Sequence, residues 1–186
     1  MKIFISGGCK NGKSYYAERL AKAQSENHLY YVATMKPVDS EDNERIERHR
    51  KERDGHGWTT IEQHVNIEAI LDKYDRRGSF LLDSLTALLA NEMFLPDGSV
   101  NERASAKITS GLSFIINSVK NIVIVSDYIY SDAALYDTFT EGYREALAEI
   151  DREAARCCDI VLEVSYANII VHKGGEAFDA AYHKIC

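Results

Sequence analysis

Residues 3–14 read I-F-I-S-G-G-C-K-N-G-K-S, a short apolar run followed by two glycines and then by Gly-Lys-Ser. The glycines at positions 7, 8 and 12 allow backbone angles closed to other residues, so the N–H groups between Gly8 and Lys13 can surround a phosphate chain. Lys13 would reach the β- and γ-phosphates, and the Ser14 hydroxyl would bind Mg²⁺. A helix that begins near Lys13 would add the positive end of its dipole. The stretch therefore predicts a P-loop between a strand and a helix.

The composition of the chain is ordinary for a globular protein. The 186 residues suit one domain with a sizeable core, and 45% of them are hydrophobic and 27% charged. A net charge of −7 argues against a non-specific nucleic-acid binder, whose phosphate contacts need an excess of Lys and Arg. No apolar run approaches the roughly 20 residues of a membrane span, and Met1 leads directly into a strand. We therefore expect a cytoplasmic protein without membrane or nucleic-acid partners.

Cysteine usage gives no sign of a metal site or a disulfide framework. Cys9, Cys157, Cys158 and Cys186 include no C-x-x-C pair. Free thiols are expected at all four positions.

Strands and helices alternate after the P-loop helix. The apolar patterns predict strands at 28–33, 58–61, 79–82, 122–125, 160–164 and 169–172, and helices at 85–94, up to about 120, and at 138–156. Helical spacing also relates Ile67, Ile70, Leu71 and Tyr74. The last two strands are close enough to form a hairpin. The expected fold is α/β over residues 1–186, with a mostly parallel sheet and an antiparallel C-terminal edge. The segment 174–186 has only weak signals.

A highly charged stretch occupies residues 39–54. Ile46 is its only apolar residue, and most of the others are acidic or basic. A helix of this composition cannot pack into a core along most of its surface. We expect it to be largely solvated or to face a charged ligand.

Two acidic residues follow apolar strands. Asp83 ends the strand at 79–82, where a carboxylate can hold Mg²⁺ directly or through water. The alternative is that Asp83 only caps the following helix, but Ser84 and Thr86 can also serve as the cap, which favours the metal-binding role for Asp83. Asp127 follows the most apolar strand, 122–125, which makes that strand a rival for the metal-binding role.

Five segments carry a resemblance that goes beyond the P-loop. They are S-G-G-C-K-N-G-K-S at 6–14, A-T at 33–34, R-I-E-R-H-R at 45–50, W-x-T-x-E at 58–62 and L-L-D-S-L-T at 81–86. Their order and spacing resemble the bifunctional adenosylcobinamide kinase / adenosylcobinamide-phosphate guanylyltransferase family of cobalamin biosynthesis, over residues 1 to about 95. The resemblance implies a three-layer, RecA-like P-loop NTPase fold. It implies phosphorylation of the aminopropanol hydroxyl of adenosylcobinamide, and then GMP transfer to that phosphate through a GMP-histidine intermediate with release of pyrophosphate.

The resemblance also implies which residues form the site. The guanylylated histidine would be His49, and its chemistry is suitable, because a neutral imidazole nitrogen can attack the α-phosphorus while neighbouring arginines neutralise the developing charge. The other histidines are interpreted as ordinary surface or strand-end residues. Glu62 can accept two N–H bonds from a guanine edge and so favour GTP over ATP. The implied nucleotide-binding residues are Gly7, Gly8, Cys9, Lys10, Asn11, Gly12, Lys13, Ser14, Ala33, Thr34, Met35, Arg50, Lys51, Glu52, Arg53, Glu62 and Asp83, with Ser14 and Asp83 on Mg²⁺.

The second half departs from the family pattern. Where the family has Asn-Glu-Val-Gly after its fourth strand, this chain has S-D-Y-I-Y at 126–130, and a later Asn of the family is replaced near Asp151. The sequence therefore leaves open whether both half-reactions or guanylyl transfer alone is retained, and which nucleotide, GTP or ATP, serves the kinase step. Another P-loop kinase of small metabolites and a non-catalytic nucleotide switch are further alternatives. The resemblance implies a homo-oligomer, with a trimer as the suggested form.

Overall fold

The computed structural model describes residues 1–130 and 132–182, without the side chains at positions 41, 45, 49, 52 and 181. The strands are β1 (Lys2–Gly7), β2 (Leu29–Ala33), β3 (Trp58–Glu62), β4 (Ser79–Asp83), β5 (Asn121–Asp127), β6 (Ile160–Ser165) and β7 (Asn168–Lys173). The α-helices are α1 (Lys13–Gln24), α2 (Ser40–Arg53), α3 (Leu85–Met93), α4 (Ala104–Ser118), α5 (Thr138–Cys157) and α6 (Gly175–Tyr182).

All seven strands form one sheet, in the order β3-β2-β4-β5-β1-β6-β7. Every neighbouring pair is parallel except β6 and β7, which form the antiparallel hairpin at one edge. Buried β-branched and aliphatic residues fill the central strands, as expected where both faces of a parallel sheet are covered. The predicted α/β fold with an antiparallel C-terminal edge is confirmed.

Alternate residues of each strand face two separate apolar cores. Phe4, Phe80 and Ile122 pack on the side of α3, α4 and α5, whereas Ile3 and Leu81 pack on the side of α1 and α6. This alternation follows from the two-residue period of a strand. Helices therefore cover both faces, which gives the three layers that the sequence predicts.

Two segments differ from, or add to, the sequence prediction. The apolar residues at 67–74 were predicted to have helical spacing, and the structure forms a short 3-10 helix, Ile67–Asp72, preceded by Asn66 with a left-handed φ of 50°. The segment without a clear signal contains α6, whose Phe178 is buried against the α1 side of the sheet. Residues 183–186 lie outside the described part of the chain.

The charged stretch is helix α2, and it begins as its sequence indicates. The Asp39 carboxylate accepts a hydrogen bond from the backbone N–H of Asp42 at 2.9 Å, which satisfies a donor of the first turn. None of the described α2 residues belongs to either apolar core. The helix is thus a charged element placed over the carboxyl edge of the sheet. No helix in the described ranges is both long and apolar enough to cross a membrane.

A buried carboxyl group lies behind the end of β5. Oδ2 of Asp151, on α5, accepts hydrogen bonds from the hydroxyls of Ser126 and Tyr130, both at 3.0 Å. Its Oδ1 atom is buried without a partner among the described residues. Burial raises the pKa of Asp151 to about 7; the two hydrogen bonds oppose that rise and the nearby Asp127 charge adds to it. The group is therefore protonated in the folded protein at acidic pH.

Asp151→Asn should stabilise the protein at alkaline pH. The folded-state pKa of about 7 lies above the ordinary 3.8, so the stability associated with this group is complete below pH 4 and is lost as pH rises through 7. Asparagine resembles the neutral acid and does not titrate. The difference in unfolding free energy between Asp151→Asn and wild type should therefore increase, in favour of the variant, by about 2 kcal/mol or more from pH 5 to pH 8. Urea unfolding at both pH values measures this, and a gain that is equal at both would contradict it.

Candidate active site

The site is built where the parallel strands end. In the register of the sheet, Glu62 of β3 pairs with Ala33 of β2, and Ala33 pairs with Asp83 of β4. On the other side, Gly7 of β1 pairs with Asp127 of β5. The carboxyl ends of parallel strands are where ligands bind in open α/β sheets. The sheet therefore brings segments that are far apart in sequence to one edge.

The P-loop joins β1 to α1 at this edge, as predicted. A Cβ atom on Gly7 would lie 2.3 Å from the carbonyl oxygen of Val164, so only glycine fits there. Gly12 precedes α1 with a left-handed φ of 90°. Lys13, the first residue of α1, is only 6% exposed, and its Nζ donates to the carbonyl oxygen of Gly8 at 2.7 Å and to Oδ1 of Asp127 at 2.8 Å. The lysine is thus held inside the loop by an ion pair.

One cavity of about 910 Å³ extends from the P-loop to α2. Its size lies within the range of pockets that take drug-sized ligands. Cys9, Lys10, Asn11, Gly12, Lys13, Ser14, Ala33, Met35, Arg50, Arg53, Glu62 and Asp83 line it among the residues that the sequence proposed. Arg48, on α2, lines it as well. The P-loop and the cationic residues of α2 therefore share one space.

The ends of β2 and β4 are tied together beside the cavity. The Tyr31 hydroxyl donates to Oδ2 of Asp83 at 2.7 Å. Burial raises the pKa of Tyr31 well above its ordinary value, and Asp83 adds to the rise, so the phenol stays a donor. Thr34 is fully buried, and its hydroxyl bonds both the N–H and the carbonyl oxygen of Ser84 at 2.7 Å. These bonds fix the position of the Asp83 carboxylate.

Asp83 does not cap the next helix. The hydroxyl of Ser84 accepts the hydrogen bond from the N–H of Ala87 and caps α3. Of the two roles considered for Asp83, capping is therefore wrong. Asp83 and Ser14 supply a carboxylate and a hydroxyl to the same cavity, and hard oxygen donors of this kind, completed by phosphate and water, suit Mg²⁺.

Helix α2 faces the cavity with arginines. The Arg53 guanidinium is 6% exposed and stacks on the Tyr31 ring, with 3.5 Å between its Cζ and the ring centroid. Its Nε and Nη1 atoms are buried without a hydrogen-bond partner among the described residues. A buried cation with unused donors favours an anionic or strongly accepting ligand. Arg50 forms an ion pair with Glu62, which fastens the helix to β3.

Some residues proposed from the sequence lie elsewhere. Gly7, Gly8 and Thr34 shape the backbone behind the cavity and do not line it. The carbonyl oxygen of Gly8 accepts a hydrogen bond from Nζ of Lys13. Lys51 is exposed and does not line the cavity. Glu52 and His49 belong to α2, but their side chains lie outside the described part of the chain.

Several residues that the sequence analysis did not place in the site line the cavity. They are Tyr31, Thr86, Asp127, Tyr143 and His64. His64 was interpreted as a strand-end residue; its Nδ1 lies 3.1 Å from the carbonyl oxygen of Thr34. Asp127 had a sequence signal, since it lies just after the most apolar strand, and Thr86 belongs to the segment 81–86 that carries the family resemblance. Tyr143 reaches the site from α5 by donating to the carbonyl oxygen of Thr86 at 2.8 Å.

Alkylation of Cys9 should weaken nucleotide binding. Cys9 is exposed and lines the cavity within the P-loop, so a bulky maleimide adduct would occupy the space of the phosphates. We expect the Kd for GTP to rise at least about tenfold, and GTP with Mg²⁺ to slow the alkylation. The alkylation-treated Cys9→Ser variant is the control for adducts at Cys157 and elsewhere. Unchanged GTP affinity of the alkylated protein would show that the Cys9 side chain points away from the site.

Comparison with known proteins identifies the family. Residues 3–168 match the family model described as cobinamide kinase / cobinamide phosphate guanyltransferase (CobU). The chain belongs to this family. The match includes the P-loop, α2 and the strands that carry Glu62, Asp83 and Asp127, so the cavity lies wholly within the family's region. The family is one of enzymes of cobalamin biosynthesis.

Curated relatives agree with the family model. The chain is 25% identical over 172 residues to the bifunctional adenosylcobalamin biosynthesis protein CobU of Escherichia coli, covering 87% of this chain and 93% of that one. It is 40% identical over 98 residues to the bifunctional protein CobP of Pseudomonas aeruginosa, covering 52% of this chain and 56% of that one. Thus the aligned segment spans little more than half of the Pseudomonas protein.

A solved structure supports the fold alone. The protein of Pyrococcus horikoshii OT3 described as a structural study of project PH0250 superposes with a TM-score of 0.50 at 10% identity, over 92% of this chain and 85% of that one. An identity this low carries no information on activity.

Proposed function

We propose that this family member carries out both half-reactions of its family. It would phosphorylate the aminopropanol hydroxyl of adenosylcobinamide and then transfer GMP from GTP to that phosphate, giving adenosyl-GDP-cobinamide and pyrophosphate. The observation that carries the proposal is the single cavity, which places the P-loop lysine and the arginines of α2 around one space. One nucleotide site can therefore present either its γ- or its α-phosphorus for attack.

Lys13 and Ser14 would hold the triphosphate in both reactions. Lys13 would neutralise phosphate charge, and Ser14 and Asp83 would hold Mg²⁺. The bound ion would polarise the phosphoryl group and neutralise the leaving phosphate. The buried Arg53, two of whose donor atoms have no partner among the described residues, is suited to an acceptor on the same nucleotide.

His49 would be the nucleophile of guanylyl transfer. Its imidazole nitrogen would form a bond to the α-phosphorus while the bond from that phosphorus to the bridging oxygen breaks and pyrophosphate leaves. A phosphate oxygen of the corrinoid would then attack the same phosphorus and release the histidine. Arg48 and Arg50 flank His49 in α2 and line the cavity, so their charge is available to the oxygens of the α-phosphate.

Glu62 would select guanine. Its carboxylate can accept the N1–H and the 2-amino group of guanine, whereas adenine has no such donor pair on that edge. In the present structure Arg50 holds Glu62 in an ion pair, so the base would have to take over one of its oxygens. Homo-oligomer formation, with a trimer as the suggested form, and a cytoplasmic location stay predictions from the sequence.

The test uses the whole chain with two corrinoids. One reaction contains adenosylcobinamide, the other adenosylcobinamide phosphate, each with Mg²⁺ and with ATP, GTP or both, and the products are identified by mass. We expect adenosyl-GDP-cobinamide from both corrinoids when GTP is present. Product from the phosphate alone would overturn the kinase half and leave guanylyl transfer. A corrinoid unchanged in every reaction would overturn the proposal as a whole.

A further inference from the structure

The backbone around Asp127 is fixed between the P-loop and α3. The N–H of Asp127 donates to the Thr86 hydroxyl at 2.9 Å, and the N–H of Tyr128 donates to the carbonyl oxygen of Gly7, also at 2.9 Å. Asp127 pairs with Gly7 in the sheet register. The carboxylate therefore projects from a rigid strand end directly beside the loop that would carry the phosphates.

The Asp127 side chain forms an ion pair with Lys13, and this ion pair has to break when a nucleotide binds. Its Oδ1 lies 2.8 Å from Nζ of Lys13, and the Asp127 side chain is 29% exposed to the cavity. When a triphosphate binds, Lys13 has to turn to the β- and γ-phosphates. Asp127 is then left as a carboxylate within a few ångströms of the γ-phosphate, where two negative groups repel.

The Asp127 carboxylate then needs a new partner, on the side of the γ-phosphate from which the phosphoryl acceptor approaches. Ser14 and Asp83 are the proposed Mg²⁺ ligands, so the ion does not require Asp127. The acceptor hydroxyl has to approach the γ-phosphate, and it can donate a hydrogen bond to the carboxylate of Asp127. An aspartate that receives the proton of the substrate hydroxyl is a recurring part of phosphoryl-transfer sites.

We propose that Asp127 is the general base of the phosphoryl-transfer reaction. In this step the hydroxyl oxygen of the acceptor bonds to the γ-phosphorus, the bond from that phosphorus to the β-phosphate oxygen breaks, and the nucleoside diphosphate leaves. The hydroxyl proton passes to the carboxylate of Asp127. The inference rests on the proposed kinase half-reaction and adds a residue specific to it.

Asp127→Asn tests this role, because asparagine keeps the shape but accepts no proton. The turnover of adenosylcobinamide phosphorylation, followed with γ-labelled GTP or ATP, should fall about a hundredfold or more. The Kd for the nucleotide should fall several-fold, because Lys13 no longer has to break an ion pair with a carboxylate before it contacts the phosphates. Incorporation of α-labelled GMP into the protein should fall far less than phosphorylation does, because formation of the GMP-histidine bond transfers no proton from a corrinoid hydroxyl. Thermal unfolding shows whether the variant is folded.

Two further variants sharpen the result. Asp127→Glu keeps a carboxylate, displaced by one methylene, and should recover part of the phosphorylation rate. In wild type and in Asp127→Glu the rate should fall on the acid side of the pH–rate profile. This fall should be absent in Asp127→Asn. Asp83→Asn, which alters the proposed Mg²⁺ ligand, should weaken both reactions and raise the Mg²⁺ concentration that they require.

The outcomes separate the inference from the proposed function. A wild-type phosphorylation rate in Asp127→Asn overturns the general-base role. Loss of both reactions in Asp127→Asn, with a raised Mg²⁺ requirement like that of Asp83→Asn, also overturns it and makes Asp127 a metal ligand. If the wild-type protein itself phosphorylates no adenosylcobinamide, the kinase proposal fails, and the inference fails with it.

Discussion

Replacing Lys13 by alanine should abolish phosphoryl transfer and guanylyl transfer together. Both reactions draw on a bound triphosphate, and Lys13 is the buried cation of the P-loop. Its removal also leaves Asp127 without its ion-pair partner at 2.8 Å, which adds a negative charge to the space where phosphates must bind. The loss of transition-state stabilisation should be about 3 kcal/mol or more, a rate reduction of about a hundredfold or greater in each reaction.

Lys22→Ala is a suitable control for this experiment. Lys22 lies in the last turn of α1, away from the cavity-lining residues of the P-loop, so this change removes one positive charge from the same helix. Both half-reactions should keep their rates in this variant, and thermal unfolding should show that both variants are folded. Wild-type rates in Lys13→Ala would contradict the assignment of the P-loop.

Replacing His49 by alanine should eliminate guanylyl transfer and leave phosphoryl transfer largely intact. Phosphorylation presents the γ-phosphorus to a substrate hydroxyl, whereas GMP transfer requires attack at the α-phosphorus. The other amine and hydroxyl side chains of α2, those of Lys51 and Ser40, do not line the cavity. With α-³²P-GTP, wild-type protein should therefore acquire an acid-labile, alkali-stable label, the behaviour of a phosphoramidate, and His49→Ala should acquire none.

His56 provides the matched control for the histidine experiment. It follows α2, is exposed and does not line the cavity, so His56→Ala should retain the label. Phosphorylation of adenosylcobinamide by His49→Ala shows that the nucleotide site is intact. A label that persists in His49→Ala would move the nucleophile to another residue and would contradict the role assigned to α2.

The sequence predicts the parts of this fold that depend on local pattern. The apolar and aromatic runs identify the strands of the described ranges, and the central ones are continuously hydrophobic because both faces of a parallel sheet are covered. The short spacing between β6 and β7 identifies the hairpin. The glycines and Lys13 identify the P-loop. In contrast, the weak pattern at 174–186 did not reveal α6, whose formation depends on burying Phe178 against distant residues.

The less predictable parts of the site are contacts between distant segments. Tyr31 lies in an apolar strand and has no local sign of a role, yet it supports both Asp83 and Arg53. The ion pair of Lys13 with Asp127 joins residues that only the order of the strands brings together. Pattern and resemblance therefore predict which segments form the nucleotide site, whereas the contacts among these segments need the three-dimensional structure.

The order of strands in the sheet also determines when the P-loop can form during synthesis. β1 is synthesised well before its two neighbours in the sheet, β5 and β6, which begin only at Asn121 and Ile160. Until β5 and β6 have been synthesised, the apolar residues of β1 lack these neighbours. Pairing β1 with strands so distant in sequence requires closing long loops, which is slow. A nascent chain that ends before β6 contains the whole P-loop sequence, but its β1 does not yet have both of the neighbouring strands that hold the loop in place. Nucleotide binding is therefore acquired only after β6 has been synthesised, and it marks a sheet in which β1 has both of its neighbours.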